Sequence, residues 1–146
     1  AGGCFWGLED KFSSVKHVLH TRVGFMGGTK HATYEEVCQK KTNHAETVEI
    51  VYDKQQLSFA KLVSSFFSFH DPTTLNQQGP DVGRQYRSIA FYSNPTEKKI
   101  IEEYIKTSSK QIVTEVKQVS IFYPADETHQ HYYQKRKKAL CKSTTM

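Results

Sequence analysis

A cysteine close to the start of the chain has the surroundings of a reactive thiol. Cys4 lies in the glycine-flanked run GGCFWG at residues 2–7, beside the rings of Phe5 and Trp6, and residues 8–12 (LEDKF) can begin a helix. The free N–H groups of a first helical turn favour the thiolate over the thiol, and the thiolate is the nucleophilic form. The flanking glycines leave space for another molecule to approach the sulfur. The pattern therefore indicates a reactive cysteine.

Four polar residues elsewhere are candidates for the same pocket. Glu46 ends the run HAE at the mouth of an apolar strand. Partial burial there would raise the pKa of its carboxyl and keep it protonated as a general acid. Tyr34 and Tyr86 offer phenols, and Asp81 offers a carboxylate. Each of these residue types is also common on a solvated surface, so the types alone leave the roles open.

A metal site is a weaker interpretation of the C-terminal region. His129 and His131, together with Cys141, are potential ligands. Histidines two positions apart point to different sides of a helix, whereas ligand pairs on helices favour a spacing of four. We therefore predict no metal. Cys38 lies on an apolar face and is expected to be an inert buried thiol.

The composition fits one domain without a disulfide framework. The 146 residues suffice for a single core, and no apolar run approaches the ~20 residues of a membrane span. Three cysteines without a Cys-x-x-Cys pair favour a reducing compartment or a redox role. We expect a cytoplasmic or organellar location. Because the chain opens on Ala1, we also expect that an N-terminal strand is truncated.

The chain is mildly basic, with a formal net charge of +5, and much of that charge lies in KRKK at residues 135–138. A basic face could bind nucleic acid or an acidic protein. A solvated helix end is the simpler interpretation, and we predict neither a nucleic-acid partner nor membrane binding. A binding module that uses this basic segment remains one rival to an enzyme.

Helices and strands alternate along the chain and must position these groups. The clearest helix begins after Ser58 and carries one apolar stripe. The stripe consists of Phe59, Leu62, Val63, Phe66 and Phe67. Further helices are predicted from Cys4, over 33–40, from Asn94 and from about 126, with strands over 15–25, 46–52, 88–92 and 113–119 and a loop over 73–83. These elements predict an α+β sandwich, with helices packed on a mixed or antiparallel sheet.

Four blocks of the sequence together resemble the peptide methionine sulfoxide reductase A family. They are GCFWG at 3–7, HAE at 44–46, QG at 78–79 with Asp81 and QYRS at 85–88, and FYPA at 122–125 with HQ at 129–130 and Tyr132. The blocks follow the order of the family over nearly the whole chain. The resemblance implies a single catalytic domain over 1–146. Its expected fold is a two-layer α/β sandwich (a ferredoxin-like plait) with a mixed sheet and an irregular C-terminal region.

The implied reaction is the reduction of the S-epimer of methionine sulfoxide, free or in proteins, to methionine. By position, Cys4 corresponds to the nucleophile that becomes a sulfenic acid, and Glu46 to the acid that protonates the sulfoxide oxygen. The resemblance also assigns supporting roles. Phe5 and Trp6 would hold the substrate methyl group, Tyr34 and Tyr86 would donate hydrogen bonds to the oxygen, and Asp81 would join the polar network. No cofactor or metal is implied.

The resemblance further implies how the enzyme is recycled. Cys141 would resolve the sulfenic acid as a disulfide, which thioredoxin or another dithiol reductant would then open, and the enzyme would be a monomer. Residues 135–140 lack the usual Asn-Pro and Gly, so a helix there could keep Cys141 from Cys4, and attack by an external thiol stays open. The chain departs from the family pattern at three other positions. Asn43 stands where glycine is usual, Pro80 where asparagine is usual, and Arg84 where threonine is usual.

A second rival is another kind of thiol enzyme, such as a peroxidase. A cysteine with a low pKa also reacts with peroxide. The two aromatic residues after Cys4 favour a methyl sulfoxide as substrate, because two rings can hold a methyl group and would have no function toward peroxide.

Overall fold

The computed structural model describes residues 1–28 and 42–144, and for residues 140–144 only the backbone. The predicted helix over 33–40, with Tyr34 and Cys38, lies outside the described residues. The helices are α1 (Phe5–Ser13), α2 (Phe59–Phe69), α3 (Pro95–Thr107) and α4 (Tyr132–Thr144). The strands are β1 (Val18–Met26), β2 (Ala45–Tyr52), β3 (Gln77–Gln78), β4 (Asp81–Val82), β5 (Ile89–Tyr92), β6 (Glu115–Gln118) and β7 (Tyr123–Pro124).

The described strands form three small sheets. The first is antiparallel with the order β2-β1-β7, the second is the hairpin β3-β4, and the third is the parallel pair β5-β6. The predicted α+β class is confirmed. The ferredoxin-like plait and the single mixed sheet are not confirmed and stay predictions, since the antiparallel and parallel pairs belong to separate sheets here.

Local capping explains where two of the helices begin. The Ser58 side chain accepts a hydrogen bond from the N–H of Lys61 at 3.1 Å, and that of Asn94 accepts one from the N–H of Glu97 at 2.9 Å. Such caps satisfy donors that the first turn leaves free. Pro95 in the first turn of α3 fits because it lacks an N–H. Both predicted helix starts are confirmed.

Helix α1 is held by two apolar clusters. Leu8 and Phe12 join a cluster with α2 and α3, whereas Phe5 joins a second cluster with Val23 and Phe25 of β1. The helix that begins after Cys4 is therefore packed on β1 at its start and on α2 and α3 farther along. This anchoring determines where the cysteine points.

An apolar cavity of about 330 Å³ separates β2 from β5. Ala1 lies at its edge and exchanges two backbone hydrogen bonds with Ile89, one at 3.0 Å and one at 2.9 Å. A residue pair that exchanges both bonds is the signature of antiparallel pairing. Ala1 therefore runs antiparallel to β5 where it enters the cavity.

Two segments differ from the sequence predictions. The predicted loop over 73–83 contains the hairpin β3-β4, because the Gln78 amide bonds both the N–H and the C=O of Asp71 at 2.8 Å. The prediction of an irregular C-terminal region is wrong from Tyr132 onward, because α4 extends from there to Thr144. Lysine, arginine, alanine and leucine are good helix formers, which accounts for this continuation.

Candidate active site

Cys4 is the N-cap residue of α1 and is half-buried. Its side chain accepts no capping hydrogen bond, but the backbone N–H groups of Trp6 and Gly7 are close enough to lower the pKa of the thiol. Gly3 precedes it with a φ of 89°, and a Cβ on Gly3 would lie 2.6 Å from Cγ of Gln78. Only glycine fits this combination of left-handed backbone and close approach. The β3-β4 hairpin is thereby brought against the cysteine loop.

Glu46 faces the same helix end from β2. It pairs with Phe25 across the β1–β2 register, so both side chains point to the face that α1 covers. The Glu46 side chain is fully buried. Its Oε1 accepts a hydrogen bond from the N–H of Phe5 at 3.1 Å. Its Oε2 is also buried and has no hydrogen-bond partner among the described residues.

Burial raises the pKa of Glu46 from 4.5 to about 8. The N–H of Phe5 opposes this shift, and the negative charge of Asp81 adds to it. The carboxyl is therefore mostly protonated at neutral pH. A protonated carboxyl can donate a proton to an oxygen that binds beside it.

Burial also raises the pKa of the Cys4 thiol, to about 11. The charge of Glu46 raises it further, the N–H groups of Trp6 and Gly7 lower it, and Asp81 makes a smaller contribution that raises it. The expectation that the helix N-terminus makes Cys4 a thiolate is therefore wrong for the resting protein. The helical N–H groups act in the predicted direction, but desolvation outweighs them.

Asp81 and Tyr86 lie on the elements that face Cys4 and Glu46. Asp81 is half-buried in β4, and its charge acts on both groups. Tyr86 ends the short 3₁₀ turn Arg84–Tyr86 and is also half-buried. The structure thus brings Cys4, Glu46 and Asp81 together and places Tyr86 on the adjoining turn.

The two aromatic residues after Cys4 occupy different environments. The Phe5 ring is fully buried between Phe25 and His129, with ring centroids 5.6 and 5.8 Å away. Trp6 is half-buried and stacks on Tyr132 with ring centroids 3.9 Å apart. Trp6 therefore has surface that a ligand can reach, whereas Phe5 offers none in this structure.

The C-terminal block fastens the chain end to α1 and β1, a role that the sequence did not indicate. Oε1 of Gln130 accepts the N–H of Val23 at 2.8 Å, and Nε2 donates to the carbonyls of Val23 and Ala125 at 2.8 and 3.0 Å. Buried Glu9 accepts the N–H of His131 at 2.7 Å. The amide of Gln130 and the carboxylate of Glu9 thus satisfy backbone donors that no strand pairs.

The histidines of this block make separate contacts. Nδ1 of His129 accepts the indole N–H of Trp6 at 3.2 Å, and Nδ1 of His131 lies 3.7 Å from Oε2 of Glu9. In the part of the chain that the structure describes, no three potential metal ligands cluster. Within the same residues, no helix combines the length and apolar character that crossing a bilayer requires.

Cys141 lies in α4, nine residues after Tyr132. At ~1.5 Å per residue, a helix carries it about 13 Å along the axis from the ring that stacks on Trp6. The Lys137 ammonium, 3.2 Å from Asp10, keeps the helix on α1. The structure describes a continuous helical backbone through Cys141, as the alternative in the sequence analysis anticipated.

Comparisons with known proteins agree on one family. A family model described as peptide methionine sulfoxide reductase matches residues 1–146. A peptide methionine sulfoxide reductase MsrA of Acinetobacter baumannii (strain AYE) is 47% identical over 138 residues, covering 92% of this chain and 80% of the relative.

Two solved structures share the fold. Methionine sulfoxide reductase A of Corynebacterium diphtheriae superposes with a TM-score of 0.83 at 37% identity, covering 92% of this chain and 71% of that one. Reduced Mxr1 from Saccharomyces cerevisiae superposes with a TM-score of 0.82 at 33% identity, covering 92% and 82%.

Proposed function

The chain belongs to the peptide methionine sulfoxide reductase family, and we propose that Cys4 and Glu46 carry out its reaction, the reduction of the S-epimer of methionine sulfoxide to methionine. The sulfoxide is free or part of a protein. One contact carries this proposal: the buried carboxyl of Glu46 accepts the N–H of Phe5 at 3.1 Å. That contact holds a protonated acid at the helix end where Cys4 lies.

The chemistry requires an acid opposite the thiol. A sulfoxide oxygen leaves sulfur readily only when it is protonated, and Glu46 supplies that proton as the sulfur of Cys4 attacks the sulfoxide sulfur. This attack forms a bond between the two sulfurs and breaks the S–O bond of the substrate. The released oxygen then bonds to the Cys4 sulfur as the S–S bond breaks, which frees the thioether and leaves Cys4 as a sulfenic acid. The thiol proton restores the protonated Glu46. Cys4 is oxidised by two electrons, and the sulfoxide is reduced by two to the thioether.

The other site residues orient the substrate. The reachable face of Trp6 contacts the methyl group, and the Phe5 ring contributes once bound substrate displaces the groups that cover it. Tyr86 and Tyr34 donate hydrogen bonds to the sulfoxide oxygen. Asp81 belongs to the polar network around both reacting groups. Polar contacts must supply much of the choice of epimer, because one methyl group is worth only about 1–3 kcal/mol.

Recycling needs a second thiol. The Cys141 thiol condenses with the sulfenic acid of Cys4, which releases water and leaves a disulfide. Thioredoxin or another dithiol reductant then opens that disulfide by exchange. Because α4 is helical and docked on α1, this step requires the last turns of α4 to unwind or detach. The enzyme acts as a monomer without a cofactor.

A stereospecific assay tests the proposal. Resolved epimers of a blocked methionine sulfoxide are supplied with dithiothreitol or thioredoxin, and product methionine is measured for the wild type, Cys4→Ser and a Cys38→Ser control. We expect turnover of the S-epimer in the wild type and in the control, and complete loss in Cys4→Ser. Turnover by Cys4→Ser, or faster reduction of hydrogen peroxide than of sulfoxide, would contradict the proposal.

The structure gives little support to either rival function. The half-buried Trp6 ring next to Cys4 offers a surface for a methyl group, and peroxide has no methyl group to place there. Three of the four basic residues at 135–138 already have partners within the chain: Lys135 contacts Glu127, Lys137 contacts Asp10, and Arg136 lies over the Tyr132 ring. These contacts favour the interpretation as a solvated helix surface.

A further inference from the structure

Two positions at which the chain departs from the family pattern are in contact. Asn43 stands in place of glycine, and its φ of 58° is in the left-handed region that asparagine tolerates. Arg84 stands in place of threonine, and its Nε–H donates to Oδ1 of Asn43 at 2.6 Å. A glycine at 43 would permit the same backbone but could not accept this bond. The asparagine therefore fits the turn and also orients the guanidinium.

A buried arginine fixes this pair in place. Arg87 is 2% exposed, and it donates to the carbonyl of Arg84 at 2.8 Å and to that of Asn43 at 2.9 Å. The two loops that carry Asn43 and Arg84 are thus joined through one guanidinium. We call the three residues Asn43, Arg84 and Arg87, with the hydrogen bonds that join them, the junction.

Both chain segments that form the junction also carry residues of the candidate active site. Asn43 is three residues before Glu46, and Arg84 is three residues after Asp81 and two before Tyr86. The side chain of Arg84 is exposed, whereas Glu46 is fully buried. The guanidinium is therefore at the protein surface, on the turn that carries Tyr86 and bonded to the residue three positions before Glu46.

The outer nitrogens of Arg84 are available to a ligand. Within the described part of the chain, the hydrogen bond of its side chain uses Nε, and neither Nη atom takes part in a hydrogen bond or ion pair. A guanidinium presents its donors in a planar fork that matches a carboxylate, and fixing one edge reduces the entropy lost on binding.

We propose that Arg84, oriented by Asn43, binds a carboxylate of the substrate close to the methionine sulfoxide. The ligand chemistry is a carboxylate with two sources: an aspartate or glutamate side chain next to the sulfoxide, or the α-carboxylate of a free or C-terminal methionine sulfoxide. This inference rests on the proposed function, and it makes Arg84 a determinant of substrate preference outside the chemical step.

A charge series of substrates tests it. kcat/KM is measured at low salt for blocked peptides that differ only in the residue beside the sulfoxide (Asp, Asn or Lys), and for a C-terminal sulfoxide as acid and as amide. The enzymes are the wild type, Arg84→Thr, Arg84→Lys, Asn43→Gly and a Lys54→Thr control. Lys54 is exposed and follows the far end of β2, at least ~20 Å along the strand from Glu46.

We expect the wild type to favour the Asp over the Asn peptide, or the acid over the amide, about two- to fivefold, the range for an exposed ion pair. The peptide arm and the C-terminal arm tell which source Arg84 binds. Arg84→Thr brings the ratio to one, Asn43→Gly and Arg84→Lys lower it, and Lys54→Thr keeps it. A wild-type ratio of one in both arms, or a ratio that Arg84→Thr leaves intact, overturns the inference while sulfoxide turnover continues. Absence of turnover on every sulfoxide overturns the proposed function as well.

Discussion

At the scale of single residues, burial raises the pKa of both Glu46 and Cys4, so both side chains are neutral at pH 7. The two residues face the same end of α1. The sequence allowed the raised pKa of Glu46 to be anticipated, since an acid next to an apolar strand is a candidate for burial. It gave the wrong direction for Cys4. The helix start is visible in the local pattern, but the desolvation that opposes it depends on chain segments far away in sequence.

The pH dependence of the reaction follows from the acid role of Glu46. We expect the rate of sulfenic acid formation to rise with pH as Cys4 ionises and to level off above about pH 8, where Glu46 loses its proton. Glu46→Gln should lower the rate about 10²–10⁴-fold. Its residual rate should rise with pH as Cys4 ionises. Single-turnover measurements from pH 6 to 10 check this, and a wild-type rate that rises steadily through pH 9 would exclude Glu46 as the acid.

Glu46 also makes the free energy of unfolding depend on pH. Its pKa is near 8 in the folded state, whereas the ordinary value for a glutamate is 4.5, so the folded protein binds the proton more tightly. This stabilisation is full below about pH 4.5 and is lost as pH rises toward 8, by at most ~1.4 kcal/mol per unit.

Urea unfolding of the wild type and Glu46→Gln at pH 5, 7 and 8.5 isolates this effect. We expect similar stabilities at pH 5 and a variant that is increasingly the more stable one at higher pH. His70, whose pKa is lowered to about 4 by burial, gives the opposite slope in acid, where stability rises with pH. Because it is present in both proteins, it cancels. A constant difference across the three pH values would show that the Glu46 pKa is ordinary.

At the scale of helices and strands, the sequence predicts features that depend on neighbouring residues, and it does not predict features that depend on contacts between residues far apart in the chain. The starts of α2 and α3 follow from caps within four residues, so Ser58 and Asn94 identify them. The β3-β4 hairpin depends on hydrogen bonds from the Gln78 side chain to the backbone of Asp71. The hydrogen bonds of the Gln130 side chain depend on β1, which lies more than 100 residues earlier. Such partners leave no periodic pattern, so the sequence did not indicate that the segment around Gln130 binds the backbone of β1.

Loss of the Gln130 amide should destabilise the fold. Gln130→Ala leaves the buried N–H of Val23 without an acceptor, which typically costs about 1–3 kcal/mol. Gln55→Ala is the matched control, because Gln55 is exposed and the effect should stay within ~0.5 kcal/mol. Urea midpoints at pH 7 measure both. Equal midpoints would mean that solvent replaces the Gln130 contacts.

Helix α4 also sets the expected behaviour of Cys141→Ser. We expect this variant to reduce one equivalent of sulfoxide normally and to lose thioredoxin-dependent turnover at least tenfold. Turnover with excess dithiothreitol should remain, because a small thiol can reach the sulfenic acid directly. Mass spectrometry after one turnover reports the state of Cys4. Unchanged thioredoxin turnover would show that recycling bypasses Cys141.

On the scale of the whole molecule, the alternation of strands and helices predicted the α+β class. It could not predict that the sheets are separate, since pairing partners are distant in sequence. The apolar cavity between β2 and β5 has the location that one further strand would fill. The single catalytic domain over 1–146 and the truncated N-terminal strand stay predictions.

Extending the chain before Ala1 should test this reading of the cavity. The antiparallel pairing of Ala1 with Ile89 directs added residues along β5 toward Phe91. Six β-forming residues of alternating apolar and polar type should raise Tm by about 2–4 °C for each kcal/mol gained. A Gly-Ser extension of equal length should leave Tm unchanged. Calorimetry compares the two, and equal Tm values would mean that the added strand does not enter.

The contacts of Trp6 give the protein an internal optical reporter. The chain contains one tryptophan, and its indole stacks on Tyr132 and donates to His129. All indole emission therefore originates where the C-terminal helix meets the reactive cysteine. Quenching and wavelength of that emission follow attachment or release of the helix in real time, without a label, through each redox state of the enzyme.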